Sequence, residues 1–292
     1  MKMHAVSIPA QYMALFRAIE TSRPGHKRLF SDPLATAFLS RELQWISRAA
    51  SLPLLGTPIT KMINRRRSGA LSSGIARTRY IDELVEKGIA GGARQLIILG
   101  AGFDTRAQRM EALRTIPVIE FDLPETARFK RSRLETLPGA LPAHVRYCEA
   151  DFNRQDLAQL FRENHVDVSL PTVVLWEGVT NYLSPASVNA IFRVLSGFAK
   201  NSSVIFTYID KRVLESPSLY DATDRLLLRR SSKDEPWAFG FHPDELPHYL
   251  DLFEFTLQAD TGASEYRHMY MPERAGWNKG YGFYRVAVAR RK

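Results

Sequence analysis

The feature that most constrains the fold of this chain is a short apolar run that ends in two glycines. The run is Gln95-Leu96-Ile97-Ile98, and Leu99-Gly100-Ala101-Gly102-Phe103-Asp104-Thr105-Arg106 follows it. An apolar run of this length is typical of a buried parallel strand. The two glycines allow a tight turn and let the backbone approach a bound ligand closely. The segment therefore predicts the first strand and the ligand-binding loop of a nucleotide-type fold.

A second strand pattern ends in a carboxylate at a matching distance. It is Val118-Ile119-Glu120-Phe121-Asp122, and Asp122 lies about 20 residues beyond the glycines, where nucleotide-type folds place the carboxylate that accepts hydrogen bonds from ribose hydroxyls. A glycine turn and a ribose carboxylate together predict an adenosine-containing cofactor.

The choice among such cofactors depends on what the glycine turn lacks. A dinucleotide fingerprint needs a third glycine three positions after the second, where the helix N-terminus meets a pyrophosphate. That position is Thr105, and Asp104 precedes it. A carboxylate would repel a pyrophosphate but can accept a hydrogen bond from a protonated amine. S-adenosylmethionine has a ribose, an amine and no phosphate, and therefore suits the site. The alternative is that Asp104 only caps the following helix.

Beyond this turn, strand patterns alternate with helix patterns. This order is typical of an α/β fold, a doubly wound and mostly parallel sheet. Helices are predicted after Asp104, from 124 to about 137, over 154–164 and over 185–200. The seven predicted strands lie near 95–100, 117–122, 145–150, 172–177, 203–209, 252–260 and 282–289.

We interpret the 292 residues as a single domain, and the hydrophobic content of 45% is ample for its core. Helices are predicted before the sheet, one of them with Asp32 as its N-cap and Pro33 in its first position. The connection between the fifth and sixth strands is too long for an ordinary loop and is predicted to be helical. The parts of the domain are an N-terminal helical cap (1–72), a cofactor-binding core (73–210), a substrate-lid insertion (211–249) and the last two strands (250–292).

Five motifs occur in the chain in a consistent order: Ala76-Arg77-Thr78-Arg79-Tyr80-Ile81-Asp82, the Leu99–Arg106 turn, Glu120-Phe121-Asp122-Leu123-Pro124, Ala150-Asp151-Phe152, and Leu175-Trp176-Glu177-Gly178-Val179-Thr180-Asn181-Tyr182-Leu183-Ser184-Pro185. This series resembles the leucine carboxyl methyltransferase-like family, and the N-terminal segments resemble its bacterial, polyketide-tailoring branch. The resemblance implies a class I methyltransferase (Rossmann-like) fold whose seventh strand inserts antiparallel. It also implies an S-adenosylmethionine-dependent O-methyltransferase. The likeness fades beyond Asp210.

The resemblance assigns roles to several acidic residues. It implies that Asp122 takes the ribose hydroxyls, that Asp151 and the backbone of Phe152 bind the adenine amino edge, and that Glu177 lies beside the methionine moiety. Gathering carboxylates at the strand ends is costly unless a cationic ligand or hydrogen-bond donors offset their repulsion. The predicted cofactor-binding residues are Arg77, Gly100, Gly102, Asp104, Asp122, Leu123, Asp151, Phe152 and Glu177.

Three arginines near these motifs have different expected roles. Arg77 matches the family's arginine, and its guanidinium can bind the cofactor's carboxylate bidentately. Arg79 is two residues away on the same helix and is expected to face elsewhere, in a surface ion pair with Asp82 or Glu83. Arg106 lies beside the glycine turn and is assigned no role.

The chemistry of the acceptor decides whether a catalytic base is needed. Methyl transfer from a sulfonium is an in-line displacement, so positioning and a dry site supply most of the acceleration. A carboxylate acceptor needs no base, whereas a phenol or an alcohol would benefit from one. Tyr182 and His242 are the predicted catalytic residues, and Tyr208 and Asp210 are further candidates. The alternatives are that Tyr182 only shapes the pocket and that His242 caps a helix or lies on the surface.

Aromatic side chains in the N-terminal helices and the insertion predict a wall that suits a planar or greasy acceptor. The alternative is that they are ordinary core residues. The residues of this predicted wall are Tyr12, Phe16, Trp237, Phe239 and Phe241.

The composition limits the class of protein. The net charge of +9 favours anionic partners, but the basic residues are scattered and no nucleic-acid-binding module accompanies them. A small-molecule substrate is therefore expected, without nucleic acid. No apolar run reaches the ~20 residues that span a membrane, so no membrane partner is predicted. The single cysteine, Cys148, excludes an internal disulfide and a thiolate zinc cluster, and no metal is predicted. The expected compartment is the cytoplasm.

Three other functions stay open. In the first, the protein is a methyltransferase whose acceptor is a macromolecule, either a protein C-terminus or a modified tRNA base. The second is a nicotinamide-dependent oxidoreductase, against which the missing third glycine and Asp104 argue. The third is a non-catalytic protein with a relic cofactor pocket, against which the intact series of motifs argues.

Overall fold

A seven-stranded sheet forms the centre of the computed structural model, which describes residues 7–66, 69–220, 237–272 and 280–292. The strand order is β3-β2-β1-β4-β5-β7-β6. The strands are β1 (Gln95–Leu99), β2 (Val118–Asp122), β3 (Val145–Glu149), β4 (Thr172–Trp176), β5 (Ser203–Ile209), β6 (Phe255–Gly262) and β7 (Tyr284–Arg291).

The first five strands are parallel, and β7 lies antiparallel between β5 and β6. Every residue of β1 and β4 is buried, as continuous apolar runs in the centre of a parallel sheet require. Leu96 pairs with Val118 on one side and with Val173 on the other. The predicted fold class and the antiparallel last strand are confirmed, and the predicted strand positions differ from those observed by no more than a few residues.

Helices cover the sheet and precede it. A 3-10 turn at Ala35–Phe38 separates the first two helices, and further short turns occur at Glu111–Leu113, Thr180–Tyr182 and Pro217–Leu219. The helices are α1 (Ile8–Thr21), α2 (Arg41–Ser51), α3 (Gly56–Arg66), α4 (Ala70–Ala90), α5 (Arg106–Arg109), α6 (Pro124–Glu135), α7 (Leu157–Glu163), α8 (Pro185–Leu195), α9 (Arg212–Glu215), α10 (Leu246–Asp251) and α11 (Ala263–Tyr270).

The predicted N-cap role of Asp32 is wrong. The N-cap of the Ala35–Phe38 turn is Leu34, with no side-chain cap bond. The buried Asp32 carboxylate instead accepts hydrogen bonds of 2.7 Å from Arg17 Nε and from Thr105 Oγ1. Asp32 therefore links α1 to the glycine loop. A carboxylate buried away from water is costly unless charged or polar partners bind it, and this cost outweighs the gain from capping a helix.

The long connection between β5 and β6 contains α9, a 3-10 turn and an extended segment that pairs Phe241 with Asp210. Part of the predicted helical insertion, residues 221–236, lies outside the described residues. The part that is described is therefore only partly helical.

Candidate active site

The carboxyl ends of the five parallel strands meet at one end of the sheet, where open α/β folds bind ligands. The glycine turn leaves β1 there with Gly100 at φ +73° and Gly102 at φ +50°. A Cβ on Gly100 would lie 2.2 Å from Val179 Cγ2 in the loop after β4. Both a left-handed backbone and the contact between the two loops therefore require glycine at position 100.

Asp122 ends β2 beside this turn. Its carboxylate accepts hydrogen bonds from the backbone N–H of Gly102 and, at 2.7 Å, from that of Leu123. Burial raises the pKa of Asp122, and these two N–H groups oppose that rise. The Leu123 side chain is exposed. The structure thus brings together the predicted carboxylate and the glycine turn, across 20 residues of chain.

A buried cluster of charges joins the loops after β1 and β4 to helix α4. Glu177 follows β4, and its two oxygens accept hydrogen bonds from Arg77 Nε at 2.8 Å and Arg106 Nη1 at 3.0 Å. Arg77 also lies over the ring of Tyr284, with Cζ 4.7 Å from the ring centroid. Arg77 and Glu177, which are both predicted to lie at the methionine end of the cofactor, are therefore in contact. Arg106, which has no predicted role, is the residue that bridges the cluster.

Arg106 holds two further carboxylates. Its Nε donates to Asp82 at 2.7 Å, and its Nη1 and backbone N–H donate to Asp104. Asp82 also accepts hydrogen bonds of 2.7 Å from both Nη atoms of Arg109. Arg79 pairs with Glu83 at 2.8 Å on the surface, as one of the two predicted alternatives states.

In this structure the Asp104 carboxylate already has a cationic partner, Arg106. Burial by itself raises its pKa, but the charges of Arg106 and Lys130 and the Arg106 N–H outweigh that effect and lower the pKa to about 2. Its Oδ1 also accepts a 2.7 Å hydrogen bond from the first backbone N–H of α5, although the N-cap position of that helix is Thr105. Arginines, rather than a cationic ligand alone, offset the repulsion among the gathered acids.

A second buried ion pair lies under Asp122. Glu120 and the Nζ of Lys130 on α6 form a salt bridge and are each no more than 3% exposed. Burial, opposed by Lys130, raises the pKa of Glu120 to about 7. A cavity of about 10 Å³ adjoins the pair and is lined by Gly102, Asp122 and Tyr147 among others. Sequence analysis missed Lys130, although an acid inside an apolar strand signals that a buried cation must be near.

The loop after β3 holds the two residues expected at the adenine. Asp151 is partly exposed, and its Oδ1 accepts a 3.0 Å hydrogen bond from the N–H of Asn153. Phe152 is half-buried and packs on the core layer on the α7–α8 side of the sheet. Both lie at the carboxyl end of the sheet, next to the loop that carries Asp122.

The predicted catalytic residues lie in different surroundings. Tyr182 is half-buried in the 3-10 turn that follows Glu177. His242 Nε2 lies 3.3 Å from Glu215 Oε2 in a pair with α9. The other two candidates have hydrogen-bond partners: Tyr208 Oη donates to Asp260 at 2.7 Å, and Asp210 accepts from Arg212.

The five aromatic residues predicted to form one wall do not share a surface, so that prediction is wrong. Phe239 and Phe241 pack with Tyr208 and Tyr249 on the α7–α8 side of the sheet. Phe16 is a core residue, 3% exposed, and with Tyr12 and Trp237 it belongs to the core on the opposite face. Trp237 lies 5.3 Å from the Phe283 ring.

The charges at this end of the sheet fit S-adenosylmethionine. In the networks around the ends of β1, β2 and β4, six acids meet five cations, which leaves one carboxylate in excess, and the cofactor carries a sulfonium and an ammonium against one carboxylate, a net +1; Asp151, 3.4 Å from Arg154, lies outside these networks. Asp122 is the acid for which the structure shows no salt bridge among the described residues. The acids are Asp32, Asp82, Asp104, Glu120, Asp122 and Glu177, and the cations are Arg17, Arg77, Arg106, Arg109 and Lys130.

The sheet, the glycine turn and the acid-rich strand ends define an S-adenosylmethionine-dependent methyltransferase of class I. The family model described as leucine carboxyl methyltransferase matches residues 10–196. The chain belongs to this family.

Relatives agree with this assignment, and a solved structure shares the fold. A Streptomyces coelicolor protein provisionally named an S-adenosyl-L-methionine-dependent methyltransferase is 33% identical over 208 residues, which are 70% of this chain and 69% of the relative. A Mycobacterium bovis protein with the same provisional name is 28% identical over 212 residues, 70% of this chain and 64% of its own. The crystal structure of a provisionally assigned methyltransferase from Thermobifida fusca has a TM-score of 0.58 at 16% identity, and it covers 94% of this chain and 97% of its own.

Two negative findings apply to the described residues alone. No described helix has both the length and the apolar character needed to cross a bilayer. Within the same ranges, no group of three or more histidine, cysteine or acidic side chains could hold a metal ion.

Proposed function

We propose that this methyltransferase acts on an oxygen atom of a small molecule, a carboxylate in the first place and a hydroxyl in the second, in secondary metabolism. The family description names a carboxyl group as the acceptor. The observation that carries the preference for a carboxylate is the state of the candidate bases. Tyr208 already donates its proton in a hydrogen bond to Asp260 and Asp210 is paired with Arg212, so neither is placed to act as a base; a carboxylate acceptor needs none, because it is already a nucleophile at neutral pH.

The cofactor residues follow from the same site. We assign the ribose to Asp122, the adenine edge to Asp151 and Phe152, and the methionine end to Glu177 and Arg77. Bound there, S-adenosylmethionine supplies the methyl group as an electrophile. The remaining cofactor residues act as scaffold, because Asp104 holds Arg106 and the glycines let the loop approach.

A small acceptor is favoured by the aromatic surroundings of the Arg77–Tyr284 stack. Tyr281, Phe283 and Trp237 form a continuous group of rings beside Tyr284, with centroids 5.3–6.1 Å apart. Phe283 and Tyr284 are buried, and the half-buried Tyr281 and Trp237 are the rings of this group that an acceptor can contact; such rings suit an apolar or planar body.

The test is methyl transfer from a methyl-labelled donor to a cell extract and to a panel of aromatic acids, phenols, a leucine-terminated peptide and tRNA. A labelled ester releases methanol in mild base, whereas a labelled ether does not, so the product identifies the acceptor group. His242→Ala is expected to retain transfer within about threefold. A base-stable product together with a hundredfold loss in His242→Ala would contradict the carboxylate assignment, and label on tRNA or peptide alone would contradict a small acceptor.

A further inference from the structure

The exposed apolar side chains of this protein are concentrated in one helix pair. Of the 13 large hydrophobic residues that are exposed in the described part of the chain, six fall within residues 41–66, which we call the α2–α3 surface. Leu54, in the turn between the helices, is 88% exposed, and Trp45 on α2 is 68% exposed. The six residues are Trp45, Ile46, Leu52, Leu54, Leu55 and Met62. A cluster of this kind marks an interaction surface, whereas single exposed apolar residues do not.

The same surface is strongly basic. Residues 41–66 contain five cations and one acid, Glu42. The structure shows none of the five cations in a salt bridge with a described residue. Lys61, Arg65 and Arg66 line one open concavity together with Met62. The Cζ of Arg48 lies 5.6 Å from the centroid of the Trp45 ring. The cations are Arg41, Arg48, Lys61, Arg65 and Arg66.

We propose that the α2–α3 surface docks this protein on the face of a bilayer rich in anionic lipid. Helices that lie in the membrane interface combine basic residues with tryptophan and leucine in this way. Leu52, Leu54 and Leu55 are exposed in the turn between the two helices rather than lining a groove, which suits insertion among acyl chains. A second copy of the chain is disfavoured, because a two-fold contact would place like charges against each other. Such peripheral contact needs no spanning helix, and none occurs among the described residues.

The experiment is flotation of the full chain with vesicles of equal parts phosphatidylglycerol and phosphatidylcholine, compared with phosphatidylcholine alone. We expect at least tenfold stronger binding to the anionic vesicles, weakened by salt. The double variant Leu54→Glu, Leu55→Glu is expected to lose at least tenfold. Arg65→Gln with Arg66→Gln is expected to lose about 25-fold, about fivefold for each arginine near an anionic surface. Leu252→Glu, at an apolar site that is 67% exposed elsewhere, is the matched control and is expected to bind within twofold of wild type.

Circular dichroism and the thermal midpoint establish that each variant is folded before it is compared. The proposal is overturned if the wild-type chain does not float with anionic vesicles, or if the folded Leu54, Leu55 variant floats as well as Leu252→Glu. It is also overturned if the chain elutes as a dimer that the Leu54, Leu55 change dissociates, because the surface then belongs to a second copy. None of these three results depends on the identity of the methyl acceptor.

Discussion

Replacing Arg106 with methionine tests whether the buried charge cluster holds the cofactor end of the sheet together. Arg106 is 3% exposed and contacts Asp82, Asp104 and Glu177. Methionine fills much of the same volume but leaves these acids with fewer cations. Removing one partner of a buried ion pair costs about 3–5 kcal/mol, against a total stability of about 5–15 kcal/mol for a typical protein. We therefore expect a large loss of stability at pH 7.

Asp104 gives this loss a pH signature. Its pKa of about 2, below the ordinary 3.8, means that its ionised form stabilises the folded state above pH 3.8, and that this contribution is lost as the pH falls toward 2. The difference corresponds to about 2 kcal/mol. Without Arg106, burial raises the pKa of Asp104, and the contribution disappears. The stability difference between wild type and Arg106→Met is therefore expected to be smaller at pH 3 than at pH 7.

Urea unfolding followed by circular dichroism at the two pH values measures both effects, and an unchanged m-value shows that the same transition is compared. Arg114→Met is the matched control, because Arg114 is 60% exposed and pairs only with the exposed Glu111 among the described residues. An exposed pair of this kind contributes about 0–1 kcal/mol. If Arg106→Met unfolds at the same urea concentration as Arg114→Met, the reasoning from the buried cluster is refuted.

Three further predictions address the strand ends. Asp122→Ala is expected to weaken S-adenosylmethionine binding by about 1–3 kcal/mol in calorimetry, and an unchanged affinity would contradict the ribose assignment. Gly100→Ala is expected to lower the thermal midpoint much more than Gly139→Ala does. Both glycines have φ above +70°, but of the two only position 100 lacks room for a Cβ. Equal losses would mean that backbone strain alone matters. Lys130→Met is expected to cost about 3–5 kcal/mol, and the added Glu120→Gln to recover most of it, so a double variant as unstable as the single one would contradict a coupled pair.

The sequence by itself determined the sheet and the places where its strands end. Apolar runs that stop at a glycine or an acid locate the loops after β1, β2 and β4, because a buried parallel strand admits polar residues mainly at its ends. These local patterns were sufficient to predict that Gly100, Asp122 and Glu177 lie at the same end of the sheet, and the contacts of the glycine turn with Asp122, through Gly102, and with Glu177, through Arg106, agree.

Only the tertiary structure decided which cations meet these acids and which side of the sheet each aromatic residue covers. Arg106 contacts Asp82 and Glu177 from 24 and 71 residues away, and no local periodicity encodes a pairing over such distances. An arginine reaches several carboxylates through its planar donors, so its partners depend on how α4, the glycine turn and the loop after β4 pack. The position of Phe241 is likewise decided by tertiary structure. Its bridge with Asp210 places it on the α7–α8 side of the sheet. Helical spacing shows which residues share a face of a segment, but not the layer against which that face packs.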